Sequence, residues 1–156
     1  YCVLKPPALP SQPLVWNGAH QQEWGDWRVH IKITKGRGIA LAKLGISPAD
    51  ITLFRRYQTP MHLEGWSLYL HTRKGGELLQ PDIRRPKREL KVLFQMQSIP
   101  PWERAYHPLV SVVSVENTDS PVFVGLSSIA ISADWQPGRN AYGLEVFLEH
   151  NILQYS

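Results

Sequence analysis

Hydrophobic residues recur with a period of two over several stretches of this chain, the spacing of a strand with one dry and one wet face. From Asp26 to Thr34, Trp27, Val29, Ile31 and Ile33 alternate with Arg28, His30, Lys32 and Thr34. The rhythm returns at Trp66–Arg73, where Trp66, Leu68, Leu70 and Thr72 face away from Ser67, Tyr69, His71 and Arg73. It returns again at Gly143–His150, with Leu144, Val146 and Leu148 opposite Glu145, Phe147 and Glu149. Leu109–Val115 and Pro121–Ile131 are β-rich runs separated by the turn sequence Asn117-Thr118-Asp119-Ser120, and are expected to pair as a hairpin. Lys35-Gly36-Arg37-Gly38 reads as another hairpin turn, Lys74-Gly75-Gly76-Glu77 as a glycine turn after a strand, and Asp134–Asn140 as a loop carrying Trp135. The pattern predicts about six to eight strands.

One stretch has helical spacing. In Arg84–Leu109, Leu90, Leu93 and Phe94 form a single apolar face, and Pro86 suits a first helical position because its missing N–H has no helical partner to lose. The rigid Ile99-Pro100-Pro101-Trp102 corner then ends the helix. Ser47-Pro48-Ala49-Asp50 has the cap, proline and acid of a brief helical turn, or else marks a loop before the apolar Ile51–Phe54 run. The expected fold is therefore mainly β, a sandwich or barrel-like core with one short helix on its side. Residues 1–15, with four prolines by Pro13 and no periodicity, read as a linker or extended lead-in, and residues 16–156 as a single domain.

Composition adds bounds. A chain of 156 residues that is 43% hydrophobic suits one domain with a real core. No apolar run approaches the roughly 18 residues of a membrane span, so no membrane partner is expected. No secretory pattern opens the chain, and the lone Cys2 permits no internal disulfide, so a reducing cytoplasm is the expected setting. The chain begins at Tyr1 without Met and is expected to be a fragment of something longer.

Charge changes the picture more. Eight Lys and Arg lie between Arg73 and Arg104 against four acids, so this window carries the whole net charge of +4. Focused charge of this kind marks a surface that meets phosphate. At the start of the predicted helix, Arg84, Arg85, Lys87, Arg88 and Lys91 oppose the helix dipole unless an anion joins them, and a phosphate there would also accept the free N–H groups. Arg55-Arg56 either extends the basic surface or is a solvated edge. Trp16, Trp24 and Trp27 either pack a small β core or offer a stacking row for bases.

Catalytic patterns are weak. Glu77 and Glu103 as paired carboxylates, and His71 and His107 as bases, fit no metal or triad spacing. Turn and surface roles account for them better, with Glu103 paired to an arginine. His20, His30, His62 and His150 are scattered, and Gly125-Leu126-Ser127-Ser128 lacks the second glycine of a nucleophile elbow.

Read together, Arg73-x-Gly75-Gly76-Glu77, Pro81, Arg88-x-Leu90-Lys91-x-Leu93-Phe94-Gln95, Ile99-Pro100-Pro101-Trp102-x-Arg104 and Pro108-Leu109 resemble the C-terminal domain of bacterial tRNA(Ile)-lysidine synthetases. The resemblance is densest over Arg73–Leu109 and extends more weakly over the flanking strands. It implies a layered β-sandwich of unusual topology, shared with a domain of the phenylalanyl-tRNA synthetase β subunit. It also implies a division of labour. An N-terminal catalytic domain would use ATP and Mg to activate the wobble cytidine of tRNA(Ile) for attack by lysine, while the C-terminal domain grips the tRNA. The Ser-Gly-Gly-x-Asp-Ser phosphate loop of that catalytic domain does not occur in this chain, which is expected to be inert alone and to need no cofactor of its own.

On this reading Arg73, Lys74, Arg84, Arg85, Lys87, Arg88, Lys91 and Arg104 form the candidate nucleic-acid surface, with Arg104 either a tRNA contact or an internal salt bridge. Leu90, Leu93, Phe94, Ile99 and Trp102 are assigned to the interior, Pro100-Pro101 to the corner, and Gly75, Gly76 and Glu77 to the turn. The expected partners are tRNA(Ile), the catalytic domain of the same polypeptide, and a second copy of the chain in a homodimer. The alternatives are a docking or dimerisation module of the same enzyme, and an independent editing or hydrolase domain.

Overall fold

The computed structural model describes residues 6–150; Cys2 lies outside them. Strands β1 (Leu14–Val15), β2 (Gln21–Trp24), β3 (Trp27–Lys35) and β4 (Ile39–Ala40) precede helix α1 (Pro48–Tyr57). Strands β5 (Trp66–His71), β6 (Leu78–Leu79) and β7 (Arg88–Glu89) lead into helix α2 (Leu90–Met96). A 3₁₀ turn at Pro101–Tyr106, β8 (Leu109–Ser114), β9 (Asn117–Leu126), β10 (Ala130–Ile131), a second 3₁₀ turn at Ala133–Trp135 and β11 (Tyr142–His150) follow. The fold is mainly β, as the alternation predicts, with more and shorter strands.

Two antiparallel sheets face each other, one ordered β1-β5-β8-β9-β10 and the other β2-β3-β11-β4. Val29, Ile31, Leu144 and Val146 from the second sheet meet Leu68, Leu70, Val110, Val112 and Val124 from the first in one buried cluster. Each such aliphatic side chain contributes about 1.5–3 kcal/mol by leaving water. Trp16, Trp24 and Trp135 belong to the same cluster, so packing, not base stacking, accounts for these tryptophans. The polar residues of the alternating strands, among them Arg28, His30 and Lys32, lie on the outer face.

Helix α1 is ten residues long where the sequence predicts at most a brief turn. Its start follows expectation: Ser47 Oγ accepts the Asp50 N–H at 3.2 Å and Pro48 opens the helix. The Ile51–Phe54 run hides its periodicity, because only its two ends face inward, Phe54 buried and Ile51 partly so. Gln58 closes the helix in a left-handed conformation, φ 57°.

Three local readings are corrected. Lys35–Gly38 is not a hairpin, because β3 and β4 pair with opposite edges of β11 rather than with each other. The glycines, at φ 75° for Gly36 and 82° for Gly38, carry the chain over the end of β11 instead. Next, β8 and β9 do form a hairpin, but Ser114 pairs with Asn117, so Val115-Glu116 is the turn and residues 117–120 lie within β9. Register shifts after Val110 and Val112 displace the alternation that would have located it. Finally, α2 begins at Leu90, so Pro86 stands ahead of a β-bridge and not in a first helical turn.

Helix α2 packs Leu90, Leu93 and Phe94 with Leu79, Leu109 and Leu126 in a second cluster on the flank of the five-stranded sheet. The described part of the lead-in, from Pro6 on, also lies on the domain. Carbonyls of Pro6, Pro7 and Gln12 accept hydrogen bonds from Tyr106 Oη, Trp27 Nε1 and Trp24 Nε1.

Stability should respond at two places in this packing. A methyl group at Gly143 would collide with the Arg37 carbonyl oxygen, where the chain crosses β11. Gly143→Ala is expected to destabilise the fold by about 1–3 kcal/mol or more, read as a lower denaturation midpoint; an unchanged midpoint contradicts the crossing. Inside the five-stranded sheet, His71 Nε2 and Ser111 Oγ are 2.7 Å apart with Ser111 only 3% exposed. Burial, followed by the nearby charge of Lys74, holds the His71 pKa below the ordinary histidine value. His107 is lowered by burial as well. The unfolded chain thus takes up these protons more readily, so their contribution is full above a pH of about 6.5 and is lost as pH falls toward the folded values. The melting temperature is expected to drop between about pH 7 and pH 5 and to drop less in His71→Gln, whereas a flat profile contradicts the assignment.

Candidate nucleic-acid interface

The basic window folds as an arm and a cleft. Strands β6 and β7 pair as a short hairpin, Leu78 opposite Glu89 and Leu79 opposite Arg88. Residues 80–87 form its tip, where Arg84, Arg85 and Lys87 are all exposed. Asp82 organises the tip by accepting the Arg84 N–H at 3.0 Å and the Arg84 Nε and Nη2 at 3.2 and 3.3 Å, with Arg85 Nε at 3.8 Å. These bonds, led by the Arg84 side chain, hold the Asp82 carboxyl below its usual range and raise the Arg84 guanidinium. Exposed pairs of this type add little to stability, so their effect is geometric.

The tip is also fastened to the domain. Gln80 donates its side-chain amide to the Arg85 carbonyl at 2.8 Å, and Gln136 donates to the carbonyls of Pro81 and Ile131 at 2.7 and 2.8 Å. The Ala133 N–H reaches the Gln80 carbonyl at 2.8 Å. Three cations on a secured loop thus face water with one carboxylate among them.

Beside the stem, Arg73, Lys74 and Lys91 line an open cleft with Gly75, Gly76, Glu77, Glu89 and Leu90. The fold brings Lys91, in the first turn of α2, to the glycine turn after β5. Gly75 and Gly76 have φ 102° and 78°, the left-handed conformations a side chain resists. Glu77 caps this turn, accepting the N–H groups of Lys74 and Gly75 at 2.8 and 2.9 Å. Burial opposes its ionisation, but those backbone bonds outweigh burial and hold its pKa below the ordinary value.

Not every candidate cation is free to meet a ligand. The guanidinium groups of Arg73 and Arg104 lie 5.5 and 5.6 Å from the ring centre of Phe94, which is 0% exposed. Arg104 also donates Nε–H to the Ile99 carbonyl at 3.0 Å. It braces the proline corner through a carbonyl and an aromatic ring rather than through a salt bridge, and Glu103 forms no ion pair among the described residues. Arg88 is half-buried in the stem.

Two expectations fail here. The cations do not surround a helix N-terminus: Arg84, Arg85 and Lys87 belong to the hairpin, and α2 starts at Leu90 after Glu89, whose side chain makes no capping bond. Trp102 is not interior but 75% exposed. Pro100 and Pro101 open a 3₁₀ turn that directs it outward, and Ile99 packs on the α2 cluster in its place. No local pattern distinguishes these outcomes, since apolar character and a rigid corner are common to both. Sequence reasoning also missed the shared stacking of Arg73 and Arg104 on Phe94, which joins positions far apart along the chain.

His71 and His107 offer no catalytic geometry. His71 meets a buried serine within a sheet, and His107 rests against the Phe94 ring at 6.0 Å between centres. Among the described residues no group of three or more His, Cys, Asp or Glu is placed to hold a metal ion, and no helix is long and apolar enough to cross a membrane.

Residues 68–115 match the family model described as the TilS substrate C-terminal domain. The chain is also 29% identical over 137 residues to the tRNA(Ile)-lysidine synthase of Nitrosomonas europaea, a match that covers 88% of this chain and 25% of that protein. It therefore spans about a quarter of the length of the curated relative it matches. The family match runs from β5 through the glycine turn, the basic hairpin, α2 and the proline corner to the turn after β8. With that series of elements in that order, residues 68–115 are similar to the TilS substrate C-terminal domain, and most of the chain is similar to a tRNA(Ile)-lysidine synthase.

Proposed function

We propose that this chain is the tRNA-gripping part of a cytoplasmic tRNA(Ile)-lysidine synthase, whose ATP- and Mg-dependent chemistry belongs to a catalytic part of the same polypeptide. The observation that carries this reading is the fastened hairpin tip. Arg84, Arg85 and Lys87 project from a loop whose backbone is held by Gln80 and Gln136, beside the cleft of Arg73, Lys74 and Lys91. Guanidinium and ammonium groups displayed in this way bind phosphate oxygens. They supply affinity and register without reading bases. A-form RNA suits such a surface, since its duplex is recognised largely through backbone and shape.

A second reading has one observation in its favour. Trp102, 75% exposed on a rigid corner, has the form of a docking residue for another protein surface, such as the catalytic part. Both roles are compatible in one domain, because the tip and the corner are different surfaces.

In the full-length protein, Arg84→Glu, Arg85→Glu and Lys87→Glu together are expected to weaken tRNA binding by more than about tenfold. They should also flatten the dependence of log affinity on log salt by about 0.7–0.9 for each phosphate no longer neutralised. Unchanged affinity in a variant of unchanged melting temperature would sink the reading. Trp102→Ala is expected to leave the salt dependence alone.

A further inference from the structure

Outside Arg73–Arg104 the sequence is neutral in sum, yet the fold does not leave those charges mixed. Lys35 at the end of β3 and Arg55 in the last turn of α1 converge on one ring. Arg55 Nη1–H donates to Tyr142 Oη at 2.7 Å with its guanidinium 4.6 Å from the Tyr142 ring centre, and Lys35 Nζ lies 5.5 Å from the same centre. Lys35, Arg55, Arg56 and Arg139 are exposed, and none forms an ion pair among the described residues.

Beside this cluster a cleft opens between β3 and α1. Its polar lining is His20, His30, Lys32, Thr34, Arg55 and Gln58, with no carboxylate. Two acids of β11 share the outer face of the sheet with part of this lining. Glu149 meets His30 Nε2 at 3.1 Å, and Glu145 pairs in register with Lys32, whose ammonium instead lies 5.1 Å from the Phe147 ring. The edge of β3 is open here as well. Strand β2 pairs only as far as His30, and the Ile31 N–H takes the His20 carbonyl on that side. Antiparallel alternation then turns the Ile33 N–H toward the cleft.

Helix electrostatics explain part of this arrangement. Cations in a last turn offset the roughly −0.5 charge of a helix C-terminus. That half charge accommodates one of Arg55 and Arg56, but not both with Lys35, which belongs to a strand. The Tyr142 ring holds two cations near each other without neutralising either.

We propose that the cleft between β3 and the last turn of α1, with Arg55 in its lining and Lys35 beside Arg55 on the Tyr142 ring, is a second phosphate-binding surface that takes the backbone of an RNA. Its cations come from β3 and α1, Lys32 and Arg55 in the lining and Lys35 beside it, a spread that suits successive phosphates of a polyanion better than one free anion. The choice of RNA rests on the function proposed above; the anion chemistry does not.

The test compares Lys35→Gln/Arg55→Gln with the hairpin triple variant in the full-length protein, using tRNA and a short RNA duplex over a range of salt. Lys35→Gln/Arg55→Gln is expected to weaken binding by about tenfold and to reduce the salt slope by about 0.7–0.9 per phosphate, in addition to the hairpin effect. Tyr142→Phe, which removes the Arg55 hydrogen bond but no charge, is expected to keep the parent slope. Unchanged affinity and slope in a folded Lys35→Gln/Arg55→Gln variant, while the hairpin variant binds less well, overturns this inference alone. Weaker binding in Lys35→Gln/Arg55→Gln with no change in the hairpin variant upholds it and overturns the hairpin reading. An equal fall in affinity in Tyr142→Phe would reveal a structural role and refute the site. Binding to phosphatidylserine vesicles that depends on Lys35 and Arg55, with RNA affinity unaffected, would overturn the choice of RNA.

Discussion

The position of β11 between β3 and β4 is the constraint on which the rest of this domain depends. Nine residues of β11 pair in continuous register with β3, and Gly143 and Leu144 pair with β4 on the other side. The strands on its two flanks come from the first part of the chain, so one whole layer of the sandwich is incomplete until the last described strand is in place. Leu144 and Val146 then supply the face against which Leu68, Val110 and Val112 pack. This is a non-local arrangement, and folding must close long loops before its contacts are gained. The crossing at Arg37 and Gly143 is where that topology admits no side chain.

Much of the fold was legible because period-two alternation reports a half-buried strand directly. Trp27, Val29 and Ile31 are buried as their spacing requires, and so are Leu68, Leu70, Leu144 and Val146. What was not legible depends on partners. A glycine turn after β3 looks the same whether the chain returns along β3 or passes over a later strand. The β8–β9 turn was displaced because bulges alter the count of residues between pairs. For Trp102 apolarity predicts burial on average, whereas the 3₁₀ geometry after Pro100 decides where this ring points.

The candidate site divides in the same way. Its basic character and its glycine turn were evident from residue types, as was the Leu-Phe face of α2. The roles within it were not. Asp82 and Gln80 have no distinguishing pattern in the sequence, yet they set the shape of the hairpin tip. Residue type groups Arg73 with the basic surface and leaves Arg104 between a tRNA contact and a salt bridge, whereas the structure lays both on Phe94. Such a pairing serves cohesion as well as charge, because a guanidinium can cover an aromatic ring while its edge stays wet.

The lead-in gives the domain a further property. Its described hydrogen bonds to Trp24, Trp27 and Tyr106 are all made through carbonyls, and Pro6, Pro7, Pro10 and Pro13 have no N–H to offer. This segment therefore lies beside β2, an edge strand of its sheet, as an acceptor with few donors. A segment so poor in donors cannot extend that edge into a regular ladder with another chain. The prolines thus cover the tryptophan-bearing margin of the sandwich while making it a poor seed for edge-to-edge aggregation.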